Sequence, residues 1–346
     1  MLRNTFSFLF ILSFFAGLLG CSTDLEVNAP NQEKKVIYCI LNPRQPFQVA
    51  RISKGFLNEG KSALDIAKND RDSILYDTND ILVELIQFYP KIATPEKKWT
   101  LSPYTENNKE DGVFYSPDQL LYKTANITLD TQNLSEVRYK LRVTNKITNK
   151  ISEGITELVS RKFGLYDPQF DDLSASNPRP VSFSSKRATN VKFNRPENVS
   201  LTEGVFKWTI EVTKSNNEKS IEVWEMTSPG KMGDGENSVQ IAGQVSPGEF
   251  WRFLRQEVSE RGNADVIQRK FIGGQLKLTG ASSEYKKYLD VNSNYNPISQ
   301  STPTYTNVSN GLGVVCSINE LIYNVAVDRV TQDSIIARVP EFKLGK

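Results

Sequence analysis

Apolar and polar residues alternate with a period of two over much of this chain, which is the pattern of half-buried strands. It is plainest over residues 134–159. There Val137, Tyr139, Leu141 and Val143 alternate with Arg138, Lys140 and Arg142. A pleated strand sends the first set into a core and the three cations into water or against a partner. A polar turn at 146–150 leads to Ile151, Ile155, Leu158 and Val159, so the stretch predicts a hairpin. A second hairpin is predicted where Phe206, Trp208, Ile210 and Val212 alternate with polar residues and Ile221, Val223 and Trp224 follow a turn at 215–219. The apolar run 36–41 stops at Asn42-Pro43, a turn signal, and reads as a buried strand. Further strands are predicted at 47–52, 81–86, 112–115, 120–122, 181–183, 191–193, 271–272 and 276–278, with a polar loop over 90–108.

A period near 3.6 interrupts the β pattern in a few places. Ser246-Pro247-Gly248-Glu249 carries the parts of a helix start: a capping hydroxyl, a proline at the first position and a glutamate that can bond back to the cap. Phe250, Trp251, Leu254 and Val258 then share one face, as expected of a helix packed on a sheet. A second short helix is predicted over 284–289 with Tyr285, Tyr288 and Leu289 inward, and a short inserted helix over 60–72. Residues 163–180 lack periodicity and are rich in Pro, Asp and Ser. They divide the body into 36–162 and 181–346, two domains being what 346 residues suggest at about 150 per domain. The predicted class is therefore mainly β: an N-terminal sandwich, then a second β-rich domain with two short helices.

The first 35 residues follow neither period. Arg3 precedes an apolar run over 6–19, shorter than the ~20 residues of a membrane-spanning helix. Leu18-Leu19-Gly20-Cys21 closes it. An aliphatic pair and a small residue before cysteine resemble the lipobox of bacterial lipoproteins, which implies a signal peptide over 1–20, lipidation of Cys21 and acylation of its freed amine. Each buried methylene adds about 0.8 kcal/mol of membrane affinity, so several acyl chains anchor stably. Residues 21–35 read as a polar tether, with Asp24 and Glu26 beside the anchor. Acidic residues there resemble the export signal of surface lipoproteins in Bacteroidota-type bacteria. The expected location is the outer membrane, with the cell surface favoured over the periplasmic face.

Three more segments carry resemblances. Leu134, Tyr139 and Leu141 resemble the corner of immunoglobulin-like sandwiches, where a tyrosine hydroxyl ties a strand to the preceding turn. Leu141 stands where antibody domains carry cysteine, so no inter-sheet disulfide is expected there. Residues 38–57, with the Asn-Pro turn and Arg51-Ile-Ser-Lys54-Gly-Phe56, and the glycine-punctuated run from Tyr305 to Cys316 resemble outer-membrane lipoproteins of Bacteroidota-type bacteria. That family brings a location and a β-rich fold but no established activity. Val315 departs from its pattern, where an aromatic residue is usual.

Composition narrows the chemistry. Lys plus Arg is 42 and Asp plus Glu is 40, so no basic excess points to nucleic acid. The chain has no histidine, which excludes Ser-His-Asp and Cys-His nucleophilic sites and histidine-ligated zinc. With Cys21 acylated, Cys39 and Cys316 remain. They read either as a disulfide, which an envelope compartment permits, or as two small buried apolar residues. Asp167, Asp171 and Asp172 lack calcium-loop spacing, and Asn310-Gly-Leu-Gly313 lacks the residues of a phosphate loop. No cofactor or metal is expected. The Arg138, Lys140 and Arg142 stripe is a candidate contact surface, and otherwise a solvated face. The expected function is a non-catalytic binding or assembly role, with a membrane anchor and a protein or glycan partner. The alternative is a carboxylate-dependent, glycosidase-like hydrolase using a pair such as Glu222 and Glu225, which a strand places on opposite faces.

Overall fold

A computed structural model describes residues 34–55, 68, 71–91, 96–107, 118–162, 165–167, 179–184, 186, 191–193, 197–229, 243–262, 264–293 and 304–343. The protein is mainly β. Its strands are β1 (Lys34–Leu41), β2 (Val49–Gly55), β3 (Ile81–Phe88), β4 (Lys97–Glu106), β5 (Gln119–Thr124), β6 (Arg138–Asn145), β7 (Ile151–Thr156), β8 (Leu165–Asp167), β9 (Arg179–Val181), β10 (Val191–Phe193), β11 (Leu201–Lys214), β12 (Lys219–Pro229), β13 (Gly243–Val245), β14 (Val266–Ala281), β15 (Val308–Ser309) and β16 (Gly311–Val327). Four helices are described: α1 (Arg71–Ile74), α2 (Pro247–Arg261), α3 (Ser283–Ser293) and α4 (Arg329–Arg338). One mixed sheet runs in the order β12-β11-β14-β16-β1-β2-β5-β4-β3-β6-β7-β15, with β9 also beside β16, while β13-β10-β8 form a small separate sheet.

The sheet folds around two cores. In the first lobe, Ile37, Cys39 and Leu41 of β1, Ala50 and Ile52 of β2 and Tyr122 of β5 meet Val83 and Leu85 of β3 and Tyr139, Leu141 and Val143 of β6. The period of two in the sequence is the cause: alternate side chains of each strand enter one core. Strand β4 changes partners halfway. Its residues 97–100 pair with β3, and 101–106 pair with β5, which lets the sheet turn the corner around the core. β4 falls in the segment that the pattern reads as a polar loop. The pattern fails because Lys97, Lys98, Ser102 and Pro103 are exposed, and Leu101 alone of the strand is buried. The predicted strand at 112–115, and residues 60–67, 69 and 70 of the predicted inserted helix, lie outside the described residues.

Strand β16 belongs to both lobes. Its residues 311–317 pair in parallel with β1, and 318–325 pair antiparallel with β14. The short β15 just before it pairs with β7, and Val308 and Val315 complete the first core. Residues 308–317, which the sequence assigns to the second domain, therefore close the first one. The tight approach depends on small residues. A Cβ on Gly313, whose φ is +105°, would stand 2.0 Å from the Ile37 carbonyl oxygen, and one on Gly154 would stand 2.3 Å from Val315 Cγ2. Where β16 passes between lobes, buried polar groups pin it. The Val159 N–H donates to Ser317 Oγ at 3.0 Å, Asn319 Nδ2 donates to the Ser160 carbonyl at 2.7 Å, and Arg44 Nε donates to Asn319 Oδ1 at 2.7 Å.

In the second lobe, β11, β12, β14 and the rest of β16 bury Phe206, Trp208, Trp224, Leu276 and Val325 against α2, α4 and a 3-10 turn at Pro340–Phe342. Helix α2 starts at the predicted capping box and buries the predicted four residues. Two predicted strands at 271–272 and 276–278 are one long strand, β14, with a bulge beside Ile210. Helix α3 lies near β1 and β16, where Tyr38 meets Tyr288 edge-on at 6.1 Å. Tyr285 and Tyr288 are half-buried, but Leu289, expected inward, is exposed. Helix α4 has no apolar stripe to reveal it. It is held by its Asp328 cap and by buried Thr331, whose hydroxyl accepts the Phe183 N–H at 2.7 Å.

Replacing Gly313 with alanine is expected to destabilise the protein by more than about 2 kcal/mol, since it adds a left-handed backbone penalty to a collision with β1. Gly273→Ala, where a Cβ meets nothing within 4 Å, should change stability little. Urea unfolding of both variants checks the pair.

Candidate functional site

The residues singled out in the sequence do not assemble into one centre. Cys21 lies outside the described residues, as do Asp171 and Asp172, and of Asp167 only the backbone is described. The Arg138, Lys140 and Arg142 stripe faces outward from β6, but carboxylates of the next strands answer it. Arg138 meets Glu157 at 2.5 Å, Arg142 meets Glu153 at 2.6 Å, and Lys140 lies 3.8 Å from Glu153 and over the Phe88 ring. Opposite charges in register across strands satisfy each other, so the stripe offers a partner little net field.

Cys39 and Cys316 stand on adjacent strands but are free thiols. The register explains why no bridge forms. Cys39 is opposite Val315 and Cys316 opposite Ile40, so one sulfur points into the first core and the other away from it. The disulfide reading is thus replaced by the apolar one. Burial pushes the Cys39 thiol up to about 12, and pushes Cys316 up as well, with the nearby Cys39 and Glu284 adding to it. Neither sulfur is a nucleophile under ordinary conditions, because the thiolate is the reactive form.

Glu222 and Glu225 diverge as their spacing requires. Glu222 accepts the Trp224 indole N–H at 2.7 Å and lies 3.7 Å from Arg261, while Glu225 pairs with Lys207 at 2.6 Å on the opposite face. Two carboxylates that cannot converge on one bond cannot share acid and nucleophile roles. Among the described residues, no group of three or more Cys, Asp or Glu is arranged to hold a metal ion, and no helix is long and apolar enough to cross a membrane.

A polar cluster does form at the start of β6. The Tyr139 hydroxyl accepts the Asp130 N–H at 2.7 Å and donates to Gln87 Oε1 at 3.0 Å, while the Tyr89 hydroxyl donates to Asp130 Oδ2 at 2.6 Å. Burial alone would raise the Asp130 pKa, but hydrogen bonds from Tyr89, Gln132 and Asn133 outweigh it and hold the carboxyl below its usual range. Tyr139 is raised, chiefly by burial. The cluster ties the turn before β6 to β3 and is structural in character.

What the sequence did not single out is the outer face of the second lobe. Helices cover one side of β11, β12, β14 and β16; the other side leaves Ile221, Val223, Ile272 and Ile322 about half exposed. Between them lies an open depression of about 560 Å³, lined by Lys207, Thr209, Val223, Gly273, Gln275 and Asn324 among others. The signal was present: Ile221 and Val223 alternate out of phase with Trp224 and Met226 in β12, so that strand carries apolar residues on both faces. The rim is charged but balanced, with Lys207 on Glu225, Lys219 on Glu211 and Lys277 on Glu320. No family model, curated relative or solved structure matches the chain.

Cys39 and Cys316 are expected to resist maleimide in the native protein and to react on unfolding, read by mass spectrometry of the labelled peptides. Stability should hold up to about pH 9 and fall between about 9 and about 12, because thiols in the unfolded chain ionise first. The slope contributed is up to about 1.4 kcal/mol per pH unit for each thiol. A pH series of urea midpoints, compared between native protein and the Cys39→Ala, Cys316→Ala double variant, isolates that slope.

Proposed function

We propose that this chain is a lipid-anchored protein of the outer membrane with a non-catalytic binding or assembly role. The observation that carries the anchoring is Leu18-Leu19-Gly20-Cys21 behind a short apolar run, with Cys21 thirteen residues ahead of Lys34, the first residue described in β1. Acyl chains on Cys21 hold the β-rich body at the bilayer, and the polar tether over 21–35 lets it stand clear of the headgroups. The cell surface is the favoured side, on the acidic pair Asp24 and Glu26.

The binding role is supported by the form of the body. Among the described residues, the depressions are open ones on a sheet face and at loops, the free thiols are buried and the candidate carboxylate pair diverges. The uncovered aliphatic residues of the second lobe, ringed by matched ion pairs, suit contact with a protein or glycan better than chemistry on a small substrate. The first lobe is read as immunoglobulin-like. In support, β1-β2-β5 face β3-β6-β7, β4 passes between the two layers, and the Tyr139 hydroxyl holds the turn at the start of β6.

Cys21→Ser is expected to move the protein from the membrane pellet to the soluble fraction, checked by fractionation and immunoblot. Persistence in the pellet overturns the anchor. Protease treatment of intact cells should clip the native protein; full protection would place the body on the periplasmic side.

A further inference from the structure

The loop joining β1 to β2 is built with more internal support than a solvated connection needs. Gln48, almost completely buried, spends its whole side chain on it. Its Oε1 accepts the Asn42 N–H at 2.8 Å, and its Nε2 donates to the carbonyls of Asn42 and Gln45 at 3.1 and 3.3 Å. Asn42 Oδ1 accepts the Arg44 N–H at 3.0 Å, and the Ile127 N–H donates to the Pro46 carbonyl at 2.7 Å. What this scaffold holds up is Arg44. Its Nε is fixed on Asn319 and its Nη2 on the Arg161 carbonyl at 2.7 Å, which leaves Nη1 with no partner among the described residues.

Arg161 is exposed beside it. The two guanidinium groups border a depression of about 240 Å³ completed by Gln45, Asn126 and Thr128. Most other cations with an ordered neighbour in this protein sit on a carboxylate. Among the described residues, neither Arg44 nor Arg161 forms an ion pair. Two like charges brought together without a counter-ion repel, and the Arg44 pKa is lowered by desolvation and by Arg161. A fixed fork of N–H donors with a second cation beside it is the arrangement that takes up an oxyanion in two or more hydrogen bonds.

We propose that Arg44 and Arg161 form an anion-binding site at the junction of the two lobes, for a carboxylate or phosphate group carried by a ligand. The site lies at the end of β1 away from the tether, roughly 25 Å along the strand at about 3.3 Å per residue. Gln45, Asn126 and Thr128 supply hydrogen bonds to the neutral part of the ligand. This deepens the binding role given above by naming a ligand class, and its failure would leave the anchoring result unaffected.

The test is calorimetric titration of the full-length, detergent-solubilised protein at low salt, with inorganic phosphate in one arm and citrate in the other. Saturable binding in either arm, lost at least tenfold in Arg161→Gln, is expected, and the arm that binds identifies the group. Arg161 is exposed, so that variant keeps the fold. Arg44→Lys, which retains charge but loses the fork and the Nε bond to buried Asn319, should also weaken binding and lower the melting temperature. Lys270→Gln, on the second lobe, should bind as native. No saturable heat in either arm, native affinity in Arg161→Gln, or an equal loss in Lys270→Gln would each overturn the proposal.

Discussion

The parallel pairing of β1 with β16 is the contact on which the rest of the molecule depends. It joins the first strand described to the last, so the first core has no closing wall until nearly the whole chain is present. Loop closure over such a separation is entropically costly and is repaid only when both cores form together. The sequence meets that cost with glycine where β16 must lie against the β1 backbone and against β7. It adds buried polar groups where β16 leaves one lobe for the other. Ser317 and Asn319 are fully buried yet hydrogen-bonded to Val159, Ser160 and Arg44, so burying them carries no orphaned donors. The lobes are therefore coupled through a continuous backbone ladder, not a flexible linker.

That coupling explains the distribution of charge. Long strands in one sheet bring some cations and carboxylates into register, as with Arg142 and Glu153 or Lys207 and Glu225. Such half-exposed pairs add little stability each. Against that background, a pair of arginines without carboxylates at the lobe junction stands apart. So does an uncovered aliphatic face on the second lobe.

Aromatic packing is concentrated in the second lobe. Phe183 stacks on Phe250 at 4.2 Å, Phe271 stacks on Phe342 at 5.4 Å, and the Trp251 indole N–H donates to the Phe183 carbonyl at 3.0 Å. These contacts join β14, α2 and the closing 3-10 turn. Buried Arg269 reaches the carbonyls of Gly262 and Glu341 and so fastens the same elements with charged donors. The second core is thus sealed by the residues that follow β16, just as the first is sealed by β16 itself.

The sequence by itself determined what depends on neighbours along the chain. The alternation at Val137–Val143 placed β6 and its buried face, the Ser246 box placed α2 to the residue, and the spacing of Glu222 and Glu225 already set them on opposite faces. A bond from the Tyr139 hydroxyl to the preceding turn could be expected because its partner, the Asp130 N–H, lies only nine residues upstream. Tertiary structure decided whatever needed a distant partner. β4 has no apolar period, and only the edges of β3 and β5 make it a strand; α4 has no stripe, and buried Thr331, bonded to the Phe183 N–H, holds it instead. One strand, β16, serves two cores, which no local period can express. Cys39 and Cys316 could be judged only once register put them on opposite faces, and Arg44 and Arg161, far apart in sequence, became a site only where the loop and the lobe junction met.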